Sequence, residues 1–386
     1  MIVATDLHYL SSKLTDKGNF FTDLFNNADG KNMQYIEEIT EAFVENVIAE
    51  KPEILVISGD LTFNGEKDSH LELERKLHRI QNNGTQVLVI PGNHDIDRSS
   101  AAGFYGDHYE LVDSITKEEF LEIYKKHGLQ NNLQKDDTSL SYIYKFRSDF
   151  WLLMLDSNSD KANQISDKTL AWVERTLQEA REKNVQVLAV SHQNILSHNP
   201  HFREGFVIDK ASELEVLYRK YGVLANVSGH IHIQHMVTET LPEILTSSLA
   251  VSPHHYGVID FDGKNFNYQA SILTIDDWAR RHQSMDTNLL QFQKSSRQFM
   301  EVVAWRKAES ELLDTKLTDS EKTLLLETFT KLNADYFAGK SVNEADYEAG
   351  LELWRKKGSG VYLDYLDTIL KSTKKSYNKL NLMIDE

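Results

Sequence analysis

The sequence predicts an α/β fold followed by an all-α extension, and three observations carry that expectation. Short apolar runs bounded by Gly, Pro, Asn or Asp recur along roughly the first 275 residues and read as buried strands. Stretches between them place apolar residues at helical spacing, so strand and helix alternate as in a parallel sheet with helices outside. After Asp286 the alternation stops and only helical spacing remains.

Taken in order, Ile2-Val3-Ala4 opens the first strand, and the polar stretch from Ser11 to Asn32 reads as a long loop beside it. Ile36, Ile39, Phe43 and Val47 form one helical stripe that ends near Pro52, and Ile54 to Ile57 is the second strand. Leu71, Leu73, Leu77 and Ile80 mark a second helix closed by Asn83-Gly84, after which Val87 to Ile90 is the third strand. Ser99 to Lys135 reads as an insertion around a helix at Lys117 to His127. Ser139 to Phe146 alternates as a half-buried strand, Phe150 to Leu155 is wholly apolar, Ser166 to Lys183 is helical, and Val185 starts the strand that reaches His192. Val223 to Val227, Ile244 to Ser247, Tyr256 to Phe261 and Asn265 to Leu273 follow as short strands, with Asp262-Gly263 as a hairpin turn.

Beyond Asp286 helices are expected near Leu289 to Leu313, Glu344 to Lys356 and Tyr362 to Ser376. Between the first two, Leu325, Phe329, Leu332 and Tyr336 form an apolar stripe that a Thr318/Glu321 capping box opens and Gly339 stops. The chain thus divides into residues 1–284 and a helical domain at 285–386 that serves packing, substrate access or association.

The formal net charge is −17, and nearly all of it belongs to the first 284 residues. Such a field repels polyanions and lacks the cationic footprint that binding to a nucleic-acid backbone requires, so no long nucleic acid is expected as a partner. Small phosphate esters stay open, because bound divalent cations reverse the sign locally. With no cysteine there is no disulfide, thiolate metal site or Cys nucleophile. No run approaches the ~18 apolar residues of a membrane span. Met1 stands directly before the first strand; the cytoplasm is the default compartment, and a leader ahead of Met1 would place the protein outside it.

Five polar clusters stand where apolar runs end: Asp6-Leu7-His8, Gly59-Asp60, Gly92-Asn93-His94-Asp95, Ser191-His192 and Gly229-His230-Ile231-His232. One polar residue at a strand end is more often a turn or a cap than a ligand. Five clusters in this order resemble the calcineurin-like metallophosphoesterases, two-metal hydrolases of phosphate esters. The stretch from Ser191 to His198 and the long first insertion look most like bacterial members related to cyclic-nucleotide phosphodiesterases.

The resemblance implies a four-layer α/β/β/α sandwich, with the all-α extension added to it. It implies one metal at Asp6, His8, Asp60 and His232, and a second at Asp60, Asn93, His192 and His230, with Asp60 bridging. Carboxylate, amide and imidazole donors suit manganese, iron or zinc, and manganese is favoured. Two cations roughly 3.5–4 Å apart can share a hydroxide that attacks phosphorus in line. In the family the position of His94 protonates the leaving oxygen or steadies the transition state, and Asp95 is expected to orient it.

The expected reaction is hydrolysis of small phosphodiesters, with 3′,5′-cyclic nucleotides as the natural candidate. A phosphomonoesterase or nucleotidase of the same mechanism is the alternative, and a non-catalytic binding scaffold the remaining one. The diester is preferred because no Arg or Lys is evident beside the motifs, Arg98 and Arg203 being nearest in sequence. His198, His201, His235, His254 and His255 read as surface or structural, whereas Tyr9 and Asn64 are candidates to line the pocket.

Overall fold

A computed structural model describes residues 1–159, 161–312, 316–358 and 360–384. The strands are β1 (Ile2–Ala4), β2 (Ile54–Ser58), β3 (Gln86–Ile90), the hairpin β4 (Ala102–Tyr105) and β5 (His108–Leu111), β6 (Gln134–Lys135), β7 (Tyr142–Arg147) and β8 (Phe150–Leu155). Then come β9 (Gln186–Ser191), β10 (Asn226–Ser228), β11 (His235–Val237), β12 (Glu243–Leu245), β13 (His255–Phe261), β14 (Asn265–Ile272) and β15 (Lys379–Met383). The helices are α1 (Asn19–Asn26), α2 (Ile36–Glu50), α3 (Lys67–Asn82), α4 (Lys117–Ile123), α5 (Asp167–Glu182) and α6 (Ala211–Tyr221). They continue as α7 (Ile275–Arg281), α8 (Phe292–Glu311), α9 (Asp319–Phe337), α10 (Glu348–Lys357) and α11 (Gly360–Ser372).

Among the described residues the strands form two large sheets, ordered β15-β14-β13-β1-β2-β3 and β11-β12-β10-β9-β8-β7-β6. Pairing is parallel from β1 to β3 and from β8 through β9 and β10 to β12, and antiparallel toward the edges. Side-chain alternation along each strand creates the layers. Val3, Val56 and Leu88 point inward against Leu152, Leu188 and Val227 of the second sheet. Their neighbours Ile2, Leu55 and Val87 point outward onto Phe43 of α2 and Leu77 of α3. On the far side, Trp151, Leu153 and Val187 meet Val173 of α5 and Leu214 of α6. This is the α/β/β/α sandwich.

Several elements depart from the sequence expectation. The stretch read as a loop from Ser11 to Asn32 contains α1, whose Phe21 and Phe25 pack on Phe104 of the β4–β5 hairpin. Helices α6 and α7 were not expected, although Leu214, Leu217, Tyr218 and Tyr221 stand at helical spacing. The expectation that no strand follows Asp286 fails at β15, which pairs antiparallel with β14. Its Leu380 and Leu382 pack toward the core between sheets while Lys379 and Met383 stay exposed, a two-residue period overlooked beside so much helix. The capping box at Thr318 and Glu321 is present, and Gly339 takes positive φ just past α9. Leu313, the expected end of the first helix of the extension, lies outside the described residues.

The helical extension packs against the β10–β12 region: Ile231, Ile233 and Leu245 join one core with Ala308, Leu332, Trp354 and Leu366. Gln234 fixes the contact, its amide N–H donating to Phe337 O (3.0 Å) and its side chain to Tyr377 O (3.0 Å). Among the described residues no helix is long and apolar enough to cross a membrane.

Candidate metal centre

The residues singled out in the sequence meet at the carboxyl ends of the parallel strands, where open α/β sheets place ligands. Asp6 and His8 follow β1, Asp60 follows β2, Asn93 follows β3, His192 follows β9, and His230 and His232 follow β10. Five of these seven have positive φ: Asp6 (52°), His8 (46°), Asp60 (48°), His230 (74°) and His232 (65°). Each such residue costs on the order of 1–3 kcal/mol and persists only where the surroundings over-determine it, as they do at functional sites. The glycines have a more specific task than turning the chain. A Cβ on Gly92 would lie 2.2 Å from Asp60 Oδ1, and one on Gly229 would lie 2.6 Å from Asp6 Oδ2, although neither has positive φ. They let backbone close on the carboxylates.

Two donor groups result, Asp6 with His8 and His232, and Asp60 with His192 and His230, each with one donor atom per residue within 4.8 Å of the others. Asp60 reaches both groups: its Oδ1 is 3.3 Å from His192 Nε2 and its Oδ2 is 3.8 Å from His8 Nε2. Asn93 Oδ1 stands 3.1 Å from His192 Nε2 and so joins the second group. In the first group His8 Nε2 and His232 Nε2 face each other at 3.1 Å, with Asp6 Oδ1 3.3 Å from His232 Nε2. Asp6 Oδ1 is buried and has no hydrogen-bond partner among the described residues. An orphaned carboxylate oxygen aimed with two ring nitrogens at one point is the donor set a divalent cation satisfies.

The surroundings prepare these donors. His192 donates Nδ1–H to Ser58 O (2.8 Å) and His230 donates Nε2–H to Gly205 O (3.1 Å), which turns the other nitrogen of each ring toward the site. Burial keeps His8 neutral, with its pKa well below the usual value, and burial together with His192 lowers His230 to about 4. Burial works against a charge on His192, yet the Asp60 and Asp6 carboxylates hold its pKa up at about 9. A proton there answers the same carboxylates that a cation would. Asp6 accepts from Thr5 Oγ1 (2.8 Å) and the His230 amide (2.9 Å) through Oδ2, leaving Oδ1 for the site.

His94 stands at the edge of the centre, its amide donating to Asp60 Oδ1 (2.9 Å). Its expected partner is corrected by the geometry. Asp95 accepts from the amides of Leu61 (3.1 Å), Thr62 (2.9 Å) and Gly92 (2.7 Å), so it ties the β2 and β3 loops together. The His94 ring is held instead by Asn64, whose Oδ1 is 2.9 Å from Nδ1. Tyr9, also expected near the pocket, is buried and donates to Glu37 (2.6 Å).

The sequence reading missed a cation. Lys31 is 7% exposed, lines the same cavity as His94 and His232, and pairs with Asp29 at 2.7 Å. Neither Arg98 nor Arg203 lines that cavity. The only trace in the sequence is a turn-like Asp29-Gly30-Lys31-Asn32 inside the supposed loop. A second missed residue is Glu243, fully buried at the start of β12. It accepts from the amides of Ile195 (2.9 Å) and Leu196 (2.6 Å), and from Asn226 Nδ2 (2.7 Å) and Ser228 Oγ (3.0 Å). It thereby joins the loop after His192 to the strand before His230. His198 Nε2 lies 3.3 Å from it, out of line for a full hydrogen bond. His198, His235, His254 and His255 are buried, whereas His201 is exposed and lines the cavity.

The cavity above the centre has a volume of about 660 Å³. Asp60, His94, His230 and His232 form its floor, and residues of the 201–206 loop and of α8, α9 and α11 form its wall.

Residues 1–234 match the family model described as calcineurin-like phosphoesterase, and the chain belongs to that family. The family hydrolyses phosphoric esters and implies two divalent metal ions, which the two donor groups fit. Residues 274–376 match a second model, the C-terminal domain of cyclic nucleotide phosphodiesterase. Among solved structures the chain is similar to a dimetal phosphatase from Danio rerio, at 13% identity over 70% of this chain and 94% of that one, with TM-score 0.50. It is also similar to a purple acid phosphatase from yellow lupin (Lupinus luteus) seeds, at 12% identity over 71% of this chain and 51% of that one, with TM-score 0.42. At these identities the likeness concerns the fold. A comparison with curated proteins finds no match.

Proposed function

We propose that the protein is a dinuclear metal-dependent phosphodiesterase of small phosphate diesters, with cyclic nucleotides the first natural candidate and manganese the favoured metal. Asp6, His8, Asp60 and His232 hold one ion, and Asp60, Asn93, His192 and His230 the other. Two bound cations supply a nucleophilic water at neutral pH and neutralise charge in an in-line displacement. The chain positions them with Asp60, whose two oxygens face different donor groups. Asn64 Oδ1 accepts from Nδ1–H and fixes the His94 ring, so Nε2 delivers a proton to the leaving oxygen only from the doubly protonated ring, a form that burial disfavours. Residues 1–284 supply this chemistry, and helices α8, α9 and α11 of the extension complete the cavity wall that the 201–206 loop begins.

The observation that carries the diester reading is the charge at the floor. Lys31 invalidates the premise that no cation stands near the motifs, but Asp29 at 2.7 Å offsets it. The pair adds no net charge to attract a dianion, so a singly charged diester costs less to admit than a monoester. The C-terminal family match supports a cyclic nucleotide within that class. Lys307, which also lines the cavity, favours a monoester as the second reading. Assays of a chromogenic diester, the matching monoester and cyclic AMP, each with manganese supplied, decide the order. A clear preference for the monoester would refute the diesterase assignment and leave the dinuclear centre intact.

A further inference from the structure

The cavity wall differs in kind from the floor. Starting at His230, a path of rings leads away from the metal centre: Phe206 lies 5.0 Å from His230 between centroids, Phe202 5.2 Å from Phe206, and Tyr365 6.3 Å from Phe202. Phe329 follows at 6.1 Å from Tyr365, and Tyr362 at 5.0 Å from Phe329. Trp354 backs the Tyr362 ring almost in parallel, 6.3 Å away at 11°, and is itself fully buried. The rings at this surface are not a closed core, because Phe202, Phe206, Tyr362 and Tyr365 keep part of their surface and line the cavity. Aromatic side chains left partly uncovered in a concave site, close to a few fixed polar groups, are the composition of a ligand pocket.

One such polar group is Asn333 on α9, 8% exposed and lining the cavity. Its Oδ1 accepts from Tyr365 O–H at 2.9 Å, and its amide nitrogen has no hydrogen-bond partner among the described residues. Its place among the rings supplies a donor to the edge of a flat heterocycle lying between them.

We infer that the wall formed by the 201–206 loop and helices α9 and α11 binds a planar ring of the substrate, so that the enzyme selects phosphate esters carrying a nucleobase or aryl group. This rests on reading the metal-bearing floor as the phosphate site. Phe202 and Tyr362 set the preference, and Asn333 reads the ring's edge. Stacking of this kind is worth roughly ten- to a hundredfold in affinity per ring.

The test uses two phosphonates that cannot be hydrolysed and share one head group, phenylphosphonate and methylphosphonate, titrated calorimetrically into the full manganese-loaded protein. The phenyl compound is expected to bind at least about tenfold more tightly. That ratio falls toward one in Phe202→Ala and Tyr362→Ala and is kept in Tyr362→Phe, with unchanged melting temperatures confirming that each variant is folded. Equal affinity of the two probes for the wild-type protein, or a ratio that survives both alanine variants, would overturn the inference. Failure of both probes to bind would instead overturn the reading of the floor as the phosphate site. Because neither probe contains an ester, the outcome does not depend on whether diesters or monoesters are the substrate.

Discussion

The floor and the wall of the cavity are built on opposite principles. On the floor, backbone fixes the chemistry: five of seven candidate ligands sit at positive φ, and glycines bring main chain against the carboxylates. On the wall, side chains of one loop and of ordinary helices do the work, partly exposed and held by contact with one another. A site held by strained backbone and buried charge fails as a unit. A site made of stacked rings loses its preference by degrees.

The largest test of that difference is Asp60→Ala. Because Asp60 faces both donor groups, its loss is expected to empty both metal positions and to lower turnover by roughly 10³-fold or more, several kcal/mol of charge stabilisation. Elemental analysis checks the occupancy. Two ions retained per chain would show that the floor does not act as a unit.

His94→Ala sharpens the comparison from the other side, since His94 is part of the floor without belonging to either donor group. Both metals are expected to stay while turnover falls roughly 10²- to 10⁴-fold. The loss should be greater for alkyl than for aryl leaving groups, because an acidic phenol needs little protonation. Equal losses for the two would assign His94 to charge stabilisation.

Glu243 tests whether the loops that carry His192 and His230 depend on one buried carboxylate. Glu243→Ala leaves four donors and the His198 ring without their partner, and is expected to destabilise the protein by about 3–5 kcal/mol. Denaturant unfolding measures it. A loss below about 1 kcal/mol would mean that the loops hold their positions without the carboxylate.

The smallest effect concerns Glu66, fully buried just before α3. Burial pushes its pKa up to about 7, with Asp95 adding to the rise. Its folded value lies above the unfolded one, so the folded chain holds the extra proton between about pH 4.5 and 7 and stability falls as pH rises through that window. Glu66→Gln removes this dependence. Its melting temperature is expected to match the wild type near pH 5 and to exceed it by a few degrees near pH 8. Parallel curves at both pH values would show Glu66 ionised throughout.

The same contrast explains what could be read from the sequence. Asp6, His8, Asp60, Asn93, His192, His230 and His232 stood out because each follows an apolar run and belongs to a residue type that binds metals. Asp95 was read as a partner of His94 because it is adjacent in sequence, whereas hydrogen bonding in three dimensions sends it to Leu61, Thr62 and Gly92. Lys31 and Glu243 were invisible for a related reason, since a lone charge far from the motifs reads as solvated surface. Phe329 was noticed only as part of a core stripe; helical spacing identifies the buried face of α9 but not the ring edge left open to a cavity. Strand–helix alternation made a parallel sheet with helices outside legible and the resemblance supplied the four-layer order, while β15 was hidden by the helices around it.

That last strand also bears on how the chain assembles during synthesis. Phe266 pairs with Leu382, so the whole helical extension must leave the ribosome before β14 gains its outer neighbour. Closing so long a loop is entropically cheap, since each doubling of length adds only about 0.6 kcal/mol, but it comes late. Until Lys379–Met383 has emerged, a nascent chain presents β14 as an open edge able to pair with another copy, and a ribosome stalled within the extension prolongs that exposure.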